Sequence, residues 1–313
     1  MPTLEWRCAR DMPSPADAYP KAVVIQGKVY VGGGTIEKFN SGTVLVYDIE
    51  NDDWKTLPRY EYFWFGMTAV NDQLVLVGGT VNERTNKLGV WNEAEQKWTH
   101  PFPPMNQMRT GAAVATYNNR WIVVAGGFDG INSLQSVEIL DINAGKWFHG
   151  EPLPESHKQY KLSSTIIGNT WYLVHTFGPT TEGGILYASL DDLITTAIAP
   201  LAVSNPVFHD QSQPAVSVWR LLPSRTIIPL EGCAAATLNG ALIIVGGGNN
   251  RSKCLSVYQQ ESESWVTFGE MPIGRYQCTC AALPGGELFV VGGNGSDKTN
   301  CKVSIAKPIA KIA

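Results

Sequence analysis

The feature that most constrains the fold of this chain is a repeat of about 46 residues marked by glycine doublets. Five doublets, each after a run of apolar residues, occur at residues 32–33, 78–79, 126–127, 246–247 and 292–293. Adjacent doublets are 46, 48 and 46 residues apart. The remaining gap, from Gly126 to Gly246, is 120 residues long and contains a degenerate copy at 172–178 that keeps one glycine. The sequence therefore predicts six units of a repeat architecture.

A second series, of tryptophans, runs in the same phase. Its members are Trp6, Trp54, Trp98, Trp147, Trp219 and Trp265. Within a unit the pattern predicts four short strands: one of small residues, one continuously apolar, one alternating, and one that opens on the tryptophan. Turn pairs such as Asn118-Asn119 favour tight hairpins. No stretch shows a sustained helical period.

A four-stranded sheet of this size cannot bury both faces alone, so the units must stack on one another. Small residues in the first strands suit a central axis where six sheets crowd, whereas large aromatics such as Tyr47, Tyr187 and Tyr258 would fill the wedges between sheets. We therefore predict an all-β chain that forms a six-bladed β-propeller of four-stranded antiparallel blades. The predicted blades are 21–57, 66–100, 111–149, 162–221 with an insertion at 191–213, 232–268, and 278–306 completed by 6–9.

The last blade lacks its own tryptophan, because no Trp follows Gly292. Trp6 stands in the correct phase to replace it, which predicts that the N-terminal strand completes the last blade and closes the ring. The insertion at 191–213 falls between the third and fourth strands of its blade and is interpreted as a surface loop, with a partner-docking arm as the alternative.

At this level of detail the chain resembles the kelch-repeat family. The glycine doublet after an apolar strand, followed by a spaced tyrosine and tryptophan, matches the third unit from Arg109 to Trp147, with Leu140 in place of the tyrosine. The resemblance implies a protein-recognition propeller, often the substrate receptor of a ubiquitin-ligase adaptor and sometimes an actin-associated scaffold. It does not extend to BTB or BACK segments, so dimerisation through them and ligase recruitment are not expected of this sequence.

The predicted function is non-catalytic binding of a peptide or loop of a partner protein. In this interpretation the chain can serve as the substrate-recognition domain of a larger assembly. In a propeller, the loops that enter the first strand and those that follow the second strand share one face of the disc. The first set is rich in aromatic and arginine residues, which are favoured at binding hot spots. The candidate partner-binding residues are Tyr19, Tyr60, Tyr62, Trp64, Arg109, His157, Tyr160, Arg225, Arg275 and Tyr276. About half of these aromatic rings are expected to serve packing instead.

The alternative is a propeller enzyme or a glycan-binding protein with a site in the funnel, of a copper-oxidase or hydrolase type. The five histidines show no ligand-like spacing, and no phosphate loop or nucleophile elbow occurs. Glu61 and Asp129 are the candidate paired carboxylates for a hydrolase. We expect no metal and no cofactor.

The composition limits the classes of partner that this chain is expected to bind. With 24 basic and 28 acidic residues the net charge is -4, which disfavours a nucleic-acid surface. No apolar stretch reaches the length of a membrane span, and the first ten residues do not resemble a signal peptide. The six cysteines lack metal-ligand spacing and are interpreted as reduced, packed thiols. The sequence thus predicts a cytoplasmic propeller that is monomeric in isolation.

Overall fold

Six sheets, each of four antiparallel strands, surround a common axis in the computed structural model. The structure describes residues 4–14, 18–35, 42–81, 83–155, 161–174, 184–199, 217–222, 230–248, 251–293 and 301–308. The predicted six-bladed β-propeller is therefore confirmed.

The blades follow the chain in order, and each is numbered here from the first strand at the axis to the fourth at the rim. Blade 1 contains β2 (Ala18–Ile25), β3 (Lys28–Thr35), β4 (Val44–Asp48) and β5 (Asp53–Thr56). Blade 2 contains β6 (Gly66–Val70), β7 (Gln73–Val77), β8 (Leu88–Asn92) and β9 (Lys97–Thr99). Blade 3 contains β10 (Ala113–Tyr117), β11 (Trp121–Ala125), β12 (Val137–Asp141) and β13 (Lys146–Gly150). Blade 4 contains β14 (Ser163–Ile167), β15 (Thr170–Val174), β16 (Ile185–Ser189) and β17 (Arg220–Leu221). Blade 5 contains β18 (Cys233–Leu238), β19 (Ala241–Gly246), β20 (Cys254–Gln259) and β21 (Ser264–Glu270). Blade 6 contains β22 (Cys278–Ala282), β23 (Leu288–Gly292), β24 (Val303–Pro308) and, as its rim strand, β1 (Leu4–Ala9).

The ring is closed by pairing between the two ends of the described chain. Strand β1 runs antiparallel to β24, from Leu4 opposite Pro308 to Ala9 opposite Val303. Trp6 lies opposite Ala306, in the place that the repeat predicted for the missing tryptophan. The predicted closure is confirmed, and β1 covers the edge that β24 would otherwise expose.

The hydrophobic core is divided into six clusters, one between each pair of neighbouring blades. Aromatic side chains fill the wedges near the rim, where Tyr47 lies 5.0 Å from Trp54 and Trp91 lies 5.2 Å from Trp98 between ring centroids. At the axis, small residues let neighbouring first strands touch, as shown by a 2.7 Å hydrogen bond between the hydroxyls of Thr68 and Thr116. The narrow axis and the wide rim explain why each unit has small residues in its first strand and large aromatic residues in its third and fourth strands.

Four of the six tryptophans of the repeat also tie their rim strands to the preceding blade. The indole Nε1 of Trp54 donates to the carbonyl of Arg10 at 2.9 Å, and that of Trp147 donates to the carbonyl of Pro103 at 2.9 Å. Trp98 and Trp219 make the same kind of bond to Pro58 and Glu151. These four tryptophans therefore stabilise the contacts between blades.

The insertion in blade 4 lies between β16 and β17, as predicted, but it begins with a helix that the sequence interpretation missed. Helix α1 (Leu190–Ile198) is capped by Ser189, whose side chain accepts from the backbone N–H of Asp192. It buries Leu190, Leu193 and Ile194 in the cluster between blades 3 and 4. A helix of nine residues with three buried apolar side chains is too short to show a sustained helical period in the sequence. The rest of the insertion, from 200 to 213, lies outside the described residues. No helix in the described part of the chain is long and apolar enough to cross a membrane.

Candidate functional site

The face that carries the candidate residues is built from two kinds of loop that pair with each other. In blade 2, Phe63 and Thr80 exchange two backbone hydrogen bonds of 3.0 and 2.9 Å. In blade 3, Thr110 and Phe128 do the same at 3.1 and 3.0 Å. The loop that enters the first strand is thus fixed to the loop that follows the second strand. We call this side of the disc the loop face, and the side with the tight turns the hairpin face.

Three of the ten candidate residues, His157, Tyr160 and Arg225, lie outside the described residues. The other seven all belong to loops or strand ends of the loop face, but they differ in exposure. Tyr19, Tyr60, Arg109 and Arg275 are buried. Tyr62, Trp64 and Tyr276 are half-buried.

Arg109 does not offer its guanidinium to a partner, because its side chain is completely buried. Its Nη1 donates to the carbonyls of Gly126 and Ser136 at 2.8 and 3.0 Å, and its Nη2 donates to the Glu138 carboxylate at 2.6 Å. Burial lowers the pKa of Arg109, and Glu138 opposes that shift. The side chain of Arg109 is thus a buried, paired charge that holds the loop in place.

The backbone of Arg109 also joins two blades. Its carbonyl accepts a 3.0 Å hydrogen bond from the N–H of Gly79, in the doublet of blade 2. A Cβ added to Gly78 would lie 2.2 Å from that same carbonyl oxygen. The doublet is glycine because the next blade's loop passes this close, and because Gly78 and Gly79 have φ of 65° and 116°.

Glu138 accepts hydrogen bonds from other residues of the same loop. Its carboxylate accepts from the backbone N–H of Asn106 at 2.7 Å, from the side-chain amide of Asn106 at 2.8 Å and from the N–H of Gln107 at 3.1 Å. Together with Arg109, these bonds fix the segment 106–109 on blade 3.

Arg275 occupies the matching position in blade 6 and is buried in the same way. Its guanidinium donates to the carbonyls of Gly292 and Lys302, both at 2.8 Å, and to the Ser304 hydroxyl at 3.3 Å. Ser304 stands where blade 3 has Glu138. The loop differs to match, since Pro272, which has no N–H, stands where blade 3 has Asn106.

Tyr60 is a packing residue as well. Its ring centroid lies 5.0 Å from that of Trp98 and 5.7 Å from that of Phe65. The backbone N–H of Tyr60 donates to the carbonyl of Gly42, in the loop before β4 of blade 1. Burial raises the pKa of the Tyr60 phenol. The aromatic run at 60–65 is therefore explained partly by the core between blades 1 and 2.

The mouth of the central channel is lined by one residue from each blade with a left-handed backbone conformation. These residues, with φ of 57° to 67°, are Tyr19, Trp64, Gly111, Lys161, Gly232 and Gln277. Backbone hydrogen bonds join them from blade to blade: Gly111 donates to Trp64, Lys161 to Gly111, Gln277 to Gly232 and Tyr19 to Gln277, at 2.6 to 3.0 Å. Backbone hydrogen bonds thus link four of the six neighbouring pairs in this ring of residues.

The side chains of this ring lie across the opening. The ammonium of Lys161 is 4.8 Å from the centroid of the Tyr19 ring and 5.8 Å from that of Trp64, as in cation–π contacts. Gln277 donates to the Tyr19 hydroxyl at 3.0 Å. Next to them, Tyr276 donates to Glu231 at 2.8 Å. Tyr19 therefore helps to close the channel, and its burial raises the pKa of its phenol.

Three exposed apolar residues of the loop face were not among the predicted candidates. Val81, Met108 and Ile131 expose 46%, 49% and 86% of their surface, and all three lie in loops of blades 2 and 3. Arg84 lies beside them, with its guanidinium carbon 5.1 Å from the centroid of the Phe128 ring. We call these five residues the blade 2–3 patch. The only sequence signal for it was the presence of large apolar residues within otherwise polar loops.

Asp129, one of the two side chains considered as catalytic carboxylates, holds the backbone beneath this patch. Asp129 accepts from the N–H groups of Ile131 and Asn132 at 2.8 and 2.7 Å, and these bonds, with that of Asn132 the larger effect, hold the pKa of Asp129 below its usual value. Glu61 instead lies 3.2 Å from Nε2 of His100. Within the ranges that the structure describes, no group of three or more His, Cys, Asp or Glu side chains could hold a metal ion.

Comparison with known families agrees with this architecture. The model described as the KLHDC2/KLHL20/DRC7 Kelch-repeats domain matches residues 64–293, and the Kelch motif matches residues 18–59. The chain belongs to the Kelch-repeat family. The resemblance drawn from the glycine and tryptophan series is confirmed, and membership indicates a protein-interaction module.

Kelch relatives of this chain share about a quarter of its residues over part of its length. It is 26% identical over 165 residues to the Kelch repeat-containing protein kel-10 of Caenorhabditis elegans, which covers 50% of this chain and 28% of that protein. It is 26% identical over 140 residues to human Kelch-like protein 24, covering 44% and 22% respectively. Over 160 residues it is 27% identical to beta-scruin of Limulus polyphemus, covering 46% and 17%. The matched part thus spans about a quarter of these relatives or less.

The fold also matches a solved structure of YjhT. The TM-score is 0.70, the sequence identity is 13%, and the match covers 95% of both chains. At this identity the likeness shows the shared propeller fold.

Proposed function

We propose that this Kelch propeller is a non-catalytic module that binds a peptide or loop of a partner protein on its loop face, centred on the blade 2–3 patch. The observation that carries the proposal is the placement of three exposed apolar residues, Val81, Met108 and Ile131, on neighbouring loops of one face. Exposed apolar side chains grouped in this way are typical of interaction surfaces.

The rigidity of these loops supports this proposal. Ile131 is held by the turn that Asp129 caps, and Met108 lies within the segment 106–109 that Glu138 and Arg109 fix. A surface that is already ordered loses little conformational entropy when a partner binds. Half-buried Tyr62 and Trp64 would continue the surface from the patch towards the channel mouth.

The charge beside the patch suggests the chemistry of the partner. Arg84 presents a guanidinium against the Phe128 ring at the edge of the apolar residues. A partner segment with apolar side chains followed by an acidic one would satisfy both parts of this surface. We further propose that the chain acts in the cytoplasm as the recognition domain of a larger assembly. In the Kelch relatives kel-10 and beta-scruin the matched part is 28% and 17% of the protein, so those proteins contain further segments.

A comparative capture experiment tests the proposal. The double variant Met108→Asp/Ile131→Asp places two charges in the patch, and Ala144→Asp places one in a turn of blade 3 on the hairpin face. Both variants change exposed side chains, so both should keep the thermal midpoint of the wild type. We expect quantitative proteomics to find a set of proteins bound by the wild type and Ala144→Asp and lost by the double variant. Equal capture by all three forms would contradict the patch as the binding surface.

A further inference from the structure

Below the ring of the loop face, the central channel contains a partly open cavity of about 80 Å³. All six blades contribute first-strand residues to its wall. This volume admits a few water molecules or one small ion, and it is far below the several hundred Å³ of a pocket for an organic cofactor.

Lys21 crosses this cavity. It extends from β2 of blade 1, and its Nζ donates a 2.5 Å hydrogen bond to the carbonyl of Leu162, in blade 4 on the opposite side of the ring. Lys161 of blade 4 reaches back towards Tyr19 of blade 1 at the mouth above. Lys21 and Lys161 therefore both line this cavity, one within it and one at its mouth.

The described wall of the cavity supplies no carboxylate to Lys21. It contains no Asp or Glu, and its remaining polar groups are hydroxyls and thiols, namely those of Tyr19, Ser163, Ser164, Cys233, Cys278, Thr279 and Cys280. Burial raises the pKa of each of the three thiols, that of Cys278 to about 11, so they remain neutral at pH 7. The ammonium of Lys21 has three donor hydrogens, and its hydrogen bond in the structure is to a neutral carbonyl.

Lys21 is half-buried in the channel, and burial lowers the pKa of its ammonium to about 8, because a charge is less stable where its contact with water is reduced. A small anion in the cavity would accept hydrogen bonds from the Lys21 N–H groups that do not bind the Leu162 carbonyl. It would also balance the positive charge of Lys21. The neutral hydroxyls of Ser164 and Thr279 on the same wall could donate to it. Because the net charge of the chain is negative, a site for anions here reflects local structure and not the overall field.

We propose that the central channel binds one small monovalent anion, a halide or a short carboxylate, with Lys21 as its principal ligand and Lys161 closing the mouth above it. The site lies beneath the loop face and away from the blade 2–3 patch, so it stands independently of the proposed partner-binding function.

Anion titration of the whole chain tests this site. Sodium chloride and, separately, sodium acetate replace sodium gluconate at constant ionic strength and pH 7, while the thermal midpoint is followed. Gluconate is too large for the cavity. We expect a saturable rise of the midpoint in the wild type and in the control Lys146→Met, whose lysine is exposed on β13. In Lys21→Met the apparent affinity should fall at least tenfold. The relative response to chloride and acetate shows which class of anion the site prefers.

Two results would overturn the proposal: no saturable response in the wild type, or an unchanged response in Lys21→Met. A second measurement removes dependence on that variant's folding. In wild-type protein with ¹³Cε-labelled lysine, one lysine should titrate near pH 8 in gluconate and at least one pH unit higher in saturating chloride or acetate. A titration that is the same in all three salts would contradict the site.

Discussion

The buried pair of Arg109 and Glu138 gives a sharp test of how the loop face is built. In Glu138→Ser the serine of blade 6 replaces the glutamate of blade 3. The change removes the 2.6 Å bond to Arg109 and the acceptor of the Asn106 and Gln107 N–H groups. It leaves a buried guanidinium without its carboxylate.

The expected loss of stability is large. Breaking a fully buried ion pair by removal of one partner costs about 3–5 kcal/mol, and the two unsatisfied N–H groups place Glu138→Ser at the upper end of that range. The matched control is Ser304→Ala in blade 6. It removes one 3.3 Å hydrogen bond to Arg275, and Pro272 leaves no N–H to satisfy there, so about 1 kcal/mol is expected.

Urea denaturation at pH 7, followed by circular dichroism, measures both free energies of unfolding. We expect Glu138→Ser to lower the midpoint several times more than Ser304→Ala. If the two variants lost equal stability, or if Glu138→Ser were neutral, the assignment of Arg109 and Glu138 as the support of segment 106–109 would be wrong.

Two further predictions concern ring closure and the channel. Deleting Leu4–Ala9 removes the strand that pairs with β24 and should lower the thermal midpoint by at least 10 °C or cause aggregation, as light scattering would show; a midpoint within a few degrees of the wild type would contradict closure through β1. The second compares wild type with Lys21→Met in gluconate. The pKa of Lys21 is about 8 in the folded chain and 10.5 when unfolded, so between these values the unfolded state binds more protons. The unfolding free energy of the wild type should therefore rise relative to the variant by about 2 kcal/mol from pH 8 to pH 10, and a constant difference would refute the burial of this ammonium.

The repeat predicted the architecture because its marker residues meet steric demands that recur in every blade. Gly78 must pass beside the Arg109 carbonyl, and Trp147 must reach the Pro103 carbonyl across a blade interface. Such demands fix residue type at fixed spacing, and spacing is visible in a sequence. Closure was visible for the same reason, since Trp6 keeps the phase of the series.

The candidate site was harder to predict because exposure depends on distant partners. Arg109 looks like a surface arginine until Glu138, 29 residues later on the third strand, is placed against it. Conversely, Ile131 looks like a packing residue until Asp129 is seen to hold it outwards at a turn. The signal for helix α1 was also local and short: Ser189 with Asp191 and Asp192 after it is a typical N-terminal cap.

The central claim, that a partner binds the loop face at blades 2 and 3, is tested most directly by hydrogen–deuterium exchange of the chain alone and with a captured partner. We predict slower exchange on binding within 61–65, 79–85, 106–111 and 128–134. Protection confined to the turns of the hairpin face, such as 71–72, 118–119 and 142–145, would contradict the claim.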